Sequence, residues 1–207
     1  MIKCFEKRTK SKKKLLEISD KFSSNFVVCK QILELIKNNS THIKIDKDIK
    51  NSYYVFLNDT IYISDIAKNT SGYQRICVIA HECVHSIQNK RIQIINFILS
   101  NLELMSFIIS IICILFKYCA DRVFSAYLIL NVISIIPRLI LEIDATIKSI
   151  DLSKKYVENK LDEFDTNILI NAYKSKIKLF SIIFILYLIL GKLLRLLVVY
   201  LLSYILK

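Results

Sequence analysis

The chain has 207 residues and a formal net charge of +12, and 54% of its residues are hydrophobic, with only two glycines and one proline. That is too apolar for an ordinary soluble domain, and the length allows one domain plus membrane segments. An apolar chain with a basic balance fits a protein whose polar parts face an anionic lipid surface.

Met1 to Leu16 is dense in Lys and Arg and is followed by no h-region, so no secretory signal is expected. The Lys7 to Lys14 cluster has no aromatic interleaving and reads as a solvated or lipid-facing tail; no nucleic-acid partner is expected. The six cysteines form no C-x-x-C pair, which points to reduced thiols in a cytosolic or membrane setting. Gln31 to Lys37 has the spacing of a short amphipathic helix ended by Asn38-Asn39. Ile43 to Asp46 alternates as a strand does. Tyr54 to Leu57 and Ile61 to Ser64 predict a hairpin turning at Asn58-Asp59-Thr60. Ser71 and Gln74 form a capping-box pattern, so a helix is predicted from there to about Asn89.

Four apolar runs follow: Ile92 to Phe116, Val123 to Leu141, Leu179 to Leu190 and Leu193 to Leu206. None is a clean stretch of ~20 apolar residues, the usual spanning length. Lys192 and Arg195 stand inside the last apolar region, where a charge is costly. The polar stretch Lys148 to Lys178 belongs in water or at the interface.

The chemistry lies in His81-Glu82-Cys83-Val84-His85, an H-E-x-x-H pattern that holds two of the three histidines. On a helix, residues i and i+4 share a face, so both imidazoles can reach one metal ion. Zinc lowers the pKa of a bound water to ~7, and Glu82 beside it can take that proton and pass one to a leaving amine. The preceding Ile76-Cys77-Val78-Ile79-Ala80 buries this helix, and a buried cluster of unpaired polar side chains is costly. Zinc is therefore the expected cofactor.

A catalytic zinc needs a third protein ligand. Gln88 and Arg91 stand where the metzincin pattern has Gly and His, which excludes that class. His42 reads as a surface strand residue. A carboxylate is left, and two compete: Glu103, in apolar surroundings, and Glu142, near Arg138. Spacing alone does not separate them. Tyr53, Tyr54, Tyr62 and Tyr73 are candidates for stabilising an oxyanion.

The run Ile79 to Gln88 resembles the active helix of the YugP-type neutral zinc metallopeptidases, whose pattern is close to A-H-E-x-G-H-A-x-Q. Pro137 to Thr146 looks like that family's P-V-E-F-D-A-S segment, and Ile61 to Ser64 falls where it has an L-x-L-S-like strand. The likeness covers roughly residues 25 to 190. This chain departs from the pattern at Val84, at Ser86, and at Tyr53-Tyr54-Val55-Phe56, which replaces an Asp-His-Tyr-Asp-like stretch. The resemblance implies that Glu142 is the third ligand, with Asp144 close behind it.

The fold expected is mainly α with a small β-hairpin: an α+β core of gluzincin type with transmembrane helices. Residues 1–91 would form the basic α+β region ending in the H-E-x-x-H helix, and 92–141 an apolar, transmembrane hairpin. Residues 142–178 would hold the second metal-site helix and a polar segment, and 179–207 the C-terminal apolar helices. If Glu142 joins the histidines, the chain between them crosses a bilayer an even number of times. The charge bias puts the site at the cytoplasmic face of the cell membrane. The expected activity is hydrolysis of peptides or membrane proteins near the bilayer. The competing reading is a non-enzymatic membrane module whose structural zinc is closed by four ligands.

Overall fold

The computed structural model describes residues 13–49, 52–64, 72–117 and 120–205. It is mainly helical, with one small sheet. In chain order the elements are α1 (residues 13–20), α2 (Asn25–Leu35), β1 (His42–Asp46), β2 (Tyr53–Val55), β3 (Thr60–Ser64), α3 (Arg75–Ile87), α4 (Lys90–Leu115), α5 (Ala120–Ile133), α6 (Ile135–Glu158) and α7 (Glu163–Ile205). These elements form two compact units. Unit 1 draws on the stretch up to Gln88 and on Asp144–Lys178; unit 2 draws on Asn89–Ile143 and the stretch from Leu179 onward.

Unit 1 has an ordinary apolar core. Helix α2 buries Val28, Cys29, Ile32 and Leu33, the i, i+1, i+4, i+5 stripe of an amphipathic helix. It starts upstream of the predicted segment and ends at Leu35; just beyond, the left-handed φ of 56° at Lys37 lets Asn38 N–H reach back to Leu33 O at 3.0 Å. The predicted hairpin is present as β2 and β3, but the sheet has three strands in the order β1-β3-β2. β1 runs parallel to β3, pairing Ile43 with Ile61 and Ile45 with Ile63, while β2 is antiparallel to β3. The central strand β3 is therefore the one buried on both faces, with Ile61 and Ile63 in the core. The turn before it holds Asp59 at φ 47°. The Asp59 carboxylate accepts from Tyr54 Oη at 2.7 Å and Thr41 Oγ1 at 3.1 Å, and a short acidic side chain tolerates that backbone.

Helix α3 is the centre of this core. Ile76, Cys77, Ile79, Ala80, Cys83 and Val84 are all buried. Its first residue, Arg75, is 3% exposed and donates to the carbonyls of Ser19, Phe22 and Ser23 and to Asn25 Oδ1. The guanidinium thus satisfies the orphan carbonyls where α1 ends, a site where a cation is favoured. Burial nevertheless pulls the Arg75 pKa below its ordinary value. The predicted capping box is only partly described: Ser71 lies outside the described residues, and no side-chain cap bond is made at Gln74. The polar stretch of α6 and α7 supplies Leu152, Tyr156, Val157, Leu169, Ile170 and Tyr173 to the same core.

Unit 2 is apolar on its outside. Met105, Ile109, Ile129 and Leu186 are exposed. Three helical stretches are long and apolar enough to cross a membrane: Lys90–Leu115, Asp121–Glu158 and Glu163–Ile205. Asn89 caps the first, its side chain accepting from Arg91 N–H at 2.9 Å. Between α5 and α6 the helix breaks at Ser134. Pro137 explains this, because it has no N–H for the carbonyl of Ile133 and its ring crowds that carbonyl. The last two apolar runs form one continuous helix, with Gly191 inside it.

The inside of unit 2 is polar at one level. Glu103 is 1% exposed. Its Oε2 accepts from Lys192 Nζ at 2.6 Å and from an Arg195 guanidinium N–H at 2.7 Å, and its Oε1 from Tyr127 Oη at 2.8 Å and Asn131 Nδ2 at 3.3 Å. Lys192 also donates to Ser134 Oγ at 2.7 Å. The charges that looked costly in the sequence are thus paired with one another.

Candidate metal centre

Helix α3 is buried nearly all round, and one stripe is left open. Val78, His81, Glu82 and His85, at i, i+3, i+4 and i+7, line it, and the last three are half-buried. The two imidazoles meet edge to face, with Nε2 of one 3.1 Å from Nε2 of the other. Two zinc ligands at ~2.0–2.1 Å in a tetrahedral arrangement lie about 3.3–3.4 Å apart. The nitrogens already have nearly that spacing, so this donor pair fits the ion.

Glu142 is the candidate third donor. Ala145, one turn further along α6 on the same face, is fully buried in the core of unit 1, and the helix runs without interruption from Glu142 to Ala145. One carboxylate oxygen of Glu142 and one ring nitrogen of each histidine lie within 4.8 Å of one another. Arg138, one turn earlier, holds Glu142 Oε1 at 2.8 Å. The rival carboxylate, Glu103, has both oxygens taken up by the cations and hydroxyl inside unit 2. Among the described residues, the group with metal-ligand spacing is His81, His85 and Glu142.

Glu82 is held from the sheet. Its Oε2 accepts from the Tyr54 backbone N–H at 2.9 Å. β2 is an edge strand, so its backbone has donors to spare for this. The Tyr54 phenol is bound to Asp59, and burial followed by that bond raises its pKa well above the ordinary value. Tyr53 and Tyr62 stack on each other across the strands, and Tyr73 is buried in the core.

The cysteine inside the motif faces away from the open stripe. Cys83 is buried with its sulfur 3.8 Å from that of Cys29, and burial, reinforced by Cys29, pushes its pKa well up. Cys77, likewise buried, is pushed up to about 11. Both are neutral thiols packed in the core, without the thiolate a metal or a nucleophilic role needs.

Asp144 stands beside the site, joined to it through Gln88. Gln88 Nε2 donates to Asp144 Oδ2 at 2.9 Å, and Gln88 Oε1 is 2.7 Å from His85 Nδ1. Sequence reasoning gave Gln88 no role. Its signal was available: an amide three residues after the second histidine, on the same helical face. The backbone N–H on Glu82 carries no residue signature and could not be read from sequence.

Comparison of the chain with protein-family models, with curated proteins and with solved structures returns no match. A functional reading therefore rests on the residues themselves.

Proposed function

We propose that the protein is a membrane-embedded zinc peptidase. The observation that carries this is that ligand atoms of His81, His85 and Glu142 lie within 4.8 Å of one another, with Glu82 next to His81 in the chain. Two imidazoles and one carboxylate are the donor set of a catalytic zinc with its fourth position open, whereas a structural site would need a fourth protein ligand. When bound, the ion would acidify water to a pKa of about 7 and polarise the carbonyl of the peptide bond.

The rest falls to the chain. His81 and His85 present their Nε2 atoms, and Glu142, tethered by Arg138, supplies the third donor. Glu82, steadied by the Tyr54 N–H, takes the proton from water and returns one to the leaving amine. The YugP-type resemblance favours the same assignment. Substrates would be peptides or membrane proteins cut near the bilayer.

Purified protein is expected to hold about one zinc per chain. Glu82→Gln should keep that zinc and abolish peptide hydrolysis, because the base is lost and the ligands remain. Full activity in Glu82→Gln would remove Glu82 from the mechanism.

The three long apolar helices support a bilayer setting. Two crossings, by α4 and by the stretch starting at Asp121, would return the chain to the side it left. Cysteines introduced near Lys90 and near Lys148 are then expected to label from one side, the cytoplasmic one. Labelling from opposite sides would take Glu142 out of the site.

A further inference from the structure

The groups behind His85 fix more than its position. Gln88 ends α3: its backbone turns to extended geometry (ψ 161°), and the residue is 7% exposed. That side chain bridges His85 Nδ1 at 2.7 Å and Asp144 Oδ2 at 2.9 Å. Asp144 is also ion-paired with Lys148 at 2.7 Å.

Each contact allows one polarity. An ionised carboxylate only accepts hydrogen bonds, so Asp144 must face the NH₂ end of the Gln88 amide. The carbonyl end is thereby turned toward His85. A carbonyl oxygen also only accepts, so the proton must sit on His85 Nδ1. In a neutral imidazole that leaves the lone pair on Nε2, the atom that faces His81 Nε2.

We propose that Gln88 and Asp144 act as positioning residues that lock His85 in its Nδ1–H tautomer and so hold Nε2 ready as a metal donor. A histidine ligand generally gives its second N–H directly to a carboxylate, a carbonyl or water. Here a glutamine amide passes the carboxylate's polarity on to the ring, across two separate helices. Lys148 sets the first member of the series by keeping Asp144 paired. Neither Gln88 nor Asp144 touches the reacting atoms. The part of this inference that concerns metal rests on the zinc reading above; the tautomer does not.

The test uses the full-length protein with two readouts. Histidine ¹⁵N NMR of the metal-free protein reports the tautomer of His85, and competition with a chromophoric chelator reports zinc affinity. Wild type is expected to show Nδ1–H at His85. Gln88→Ala, and Gln88→Met, which keeps most of the volume, should lose that preference and weaken zinc binding ~10–100-fold. Asp144→Asn, nearly isosteric, should loosen the tautomer preference and weaken zinc less. Because Asp144 acts through Gln88, the double variant should bind zinc no more weakly than the Gln88 variant alone. Independent, additive losses, or an unchanged His85 tautomer in Gln88→Met, would overturn the relay. If wild type bound no zinc, the metal reading would fall, and the tautomer measurement would still decide the relay.

Discussion

Glu142→Ala is expected to strip the purified protein of zinc and of activity together. Two histidines on one helix supply two donors, and a third is needed before the ion is held with an open position. Among the described residues, Glu142 is the carboxylate grouped within 4.8 Å of both histidine donor atoms. Loss of a supporting group costs ~10–100-fold in affinity, and loss of a ligand should exceed that clearly. The substitution also releases Arg138, but that side chain is partly exposed and lies over the Phe184 ring, so the helix keeps its packing. Metal analysis and chelator competition on folded protein decide it. Zinc retained at wild-type affinity in Glu142→Ala would mean that the third ligand has been misassigned.

Glu103→Ala is expected to act in the opposite sense, keeping the metal and destabilising unit 2 by about 3–5 kcal/mol, the usual loss when one partner of a buried ion pair is removed. Glu103 is almost wholly buried and answers two cations, Lys192 and Arg195, the former partly buried. Without it, Lys192 keeps, among the described residues, the Ser134 hydroxyl, and Tyr127 and Asn131 lose an acceptor. Exchanging all three charged residues for apolar ones of similar volume should recover most of the loss, as buried ion pairs often allow. Unfolding in detergent measures both variants. A Glu103→Ala protein as stable as wild type would show the cluster to be idle, and one that loses zinc would restore Glu103 as a candidate ligand.

These two carboxylates also show where the sequence stops being informative. His81, Glu82 and His85 are legible because their spacing matches a helical turn. Glu142 and Glu103 look alike along the chain, since each interrupts an apolar run. What separates them is the source of their cations. Arg138 is one turn from Glu142, but the cations on Glu103 arrive from 89 and 92 residues away. The same distant pairing explains why the last two apolar runs read as separate pieces: Lys192 and Arg195 look like an interruption until Glu103 is set against them. The hairpin β2–β3 follows from local turn chemistry, whereas the parallel β1–β3 pairing is non-local and left no periodic trace. The tautomer-setting role of Gln88 depends on Asp144, which lies on another helix.

The interleaving of the two units orders events during synthesis. His81 and His85 leave the ribosome early, with α3. Asp144 and the rest of the second segment of unit 1 follow only after α4 and α5 have been made. The half-built core of unit 1 must therefore wait, with α3 lacking the packing that Leu152, Tyr156 and Tyr173 later provide. At synthesis rates of ~5–20 residues per second, that wait lasts several seconds. The second segment of unit 1 becomes available only after the intervening apolar segment, Asn89–Ile143, has been made. A nascent chain stalled before Asp144 would carry the H-E-x-x-H helix without the carboxylate that faces Gln88 and without the second half of the unit 1 core, a built-in delay between making the motif and enclosing it.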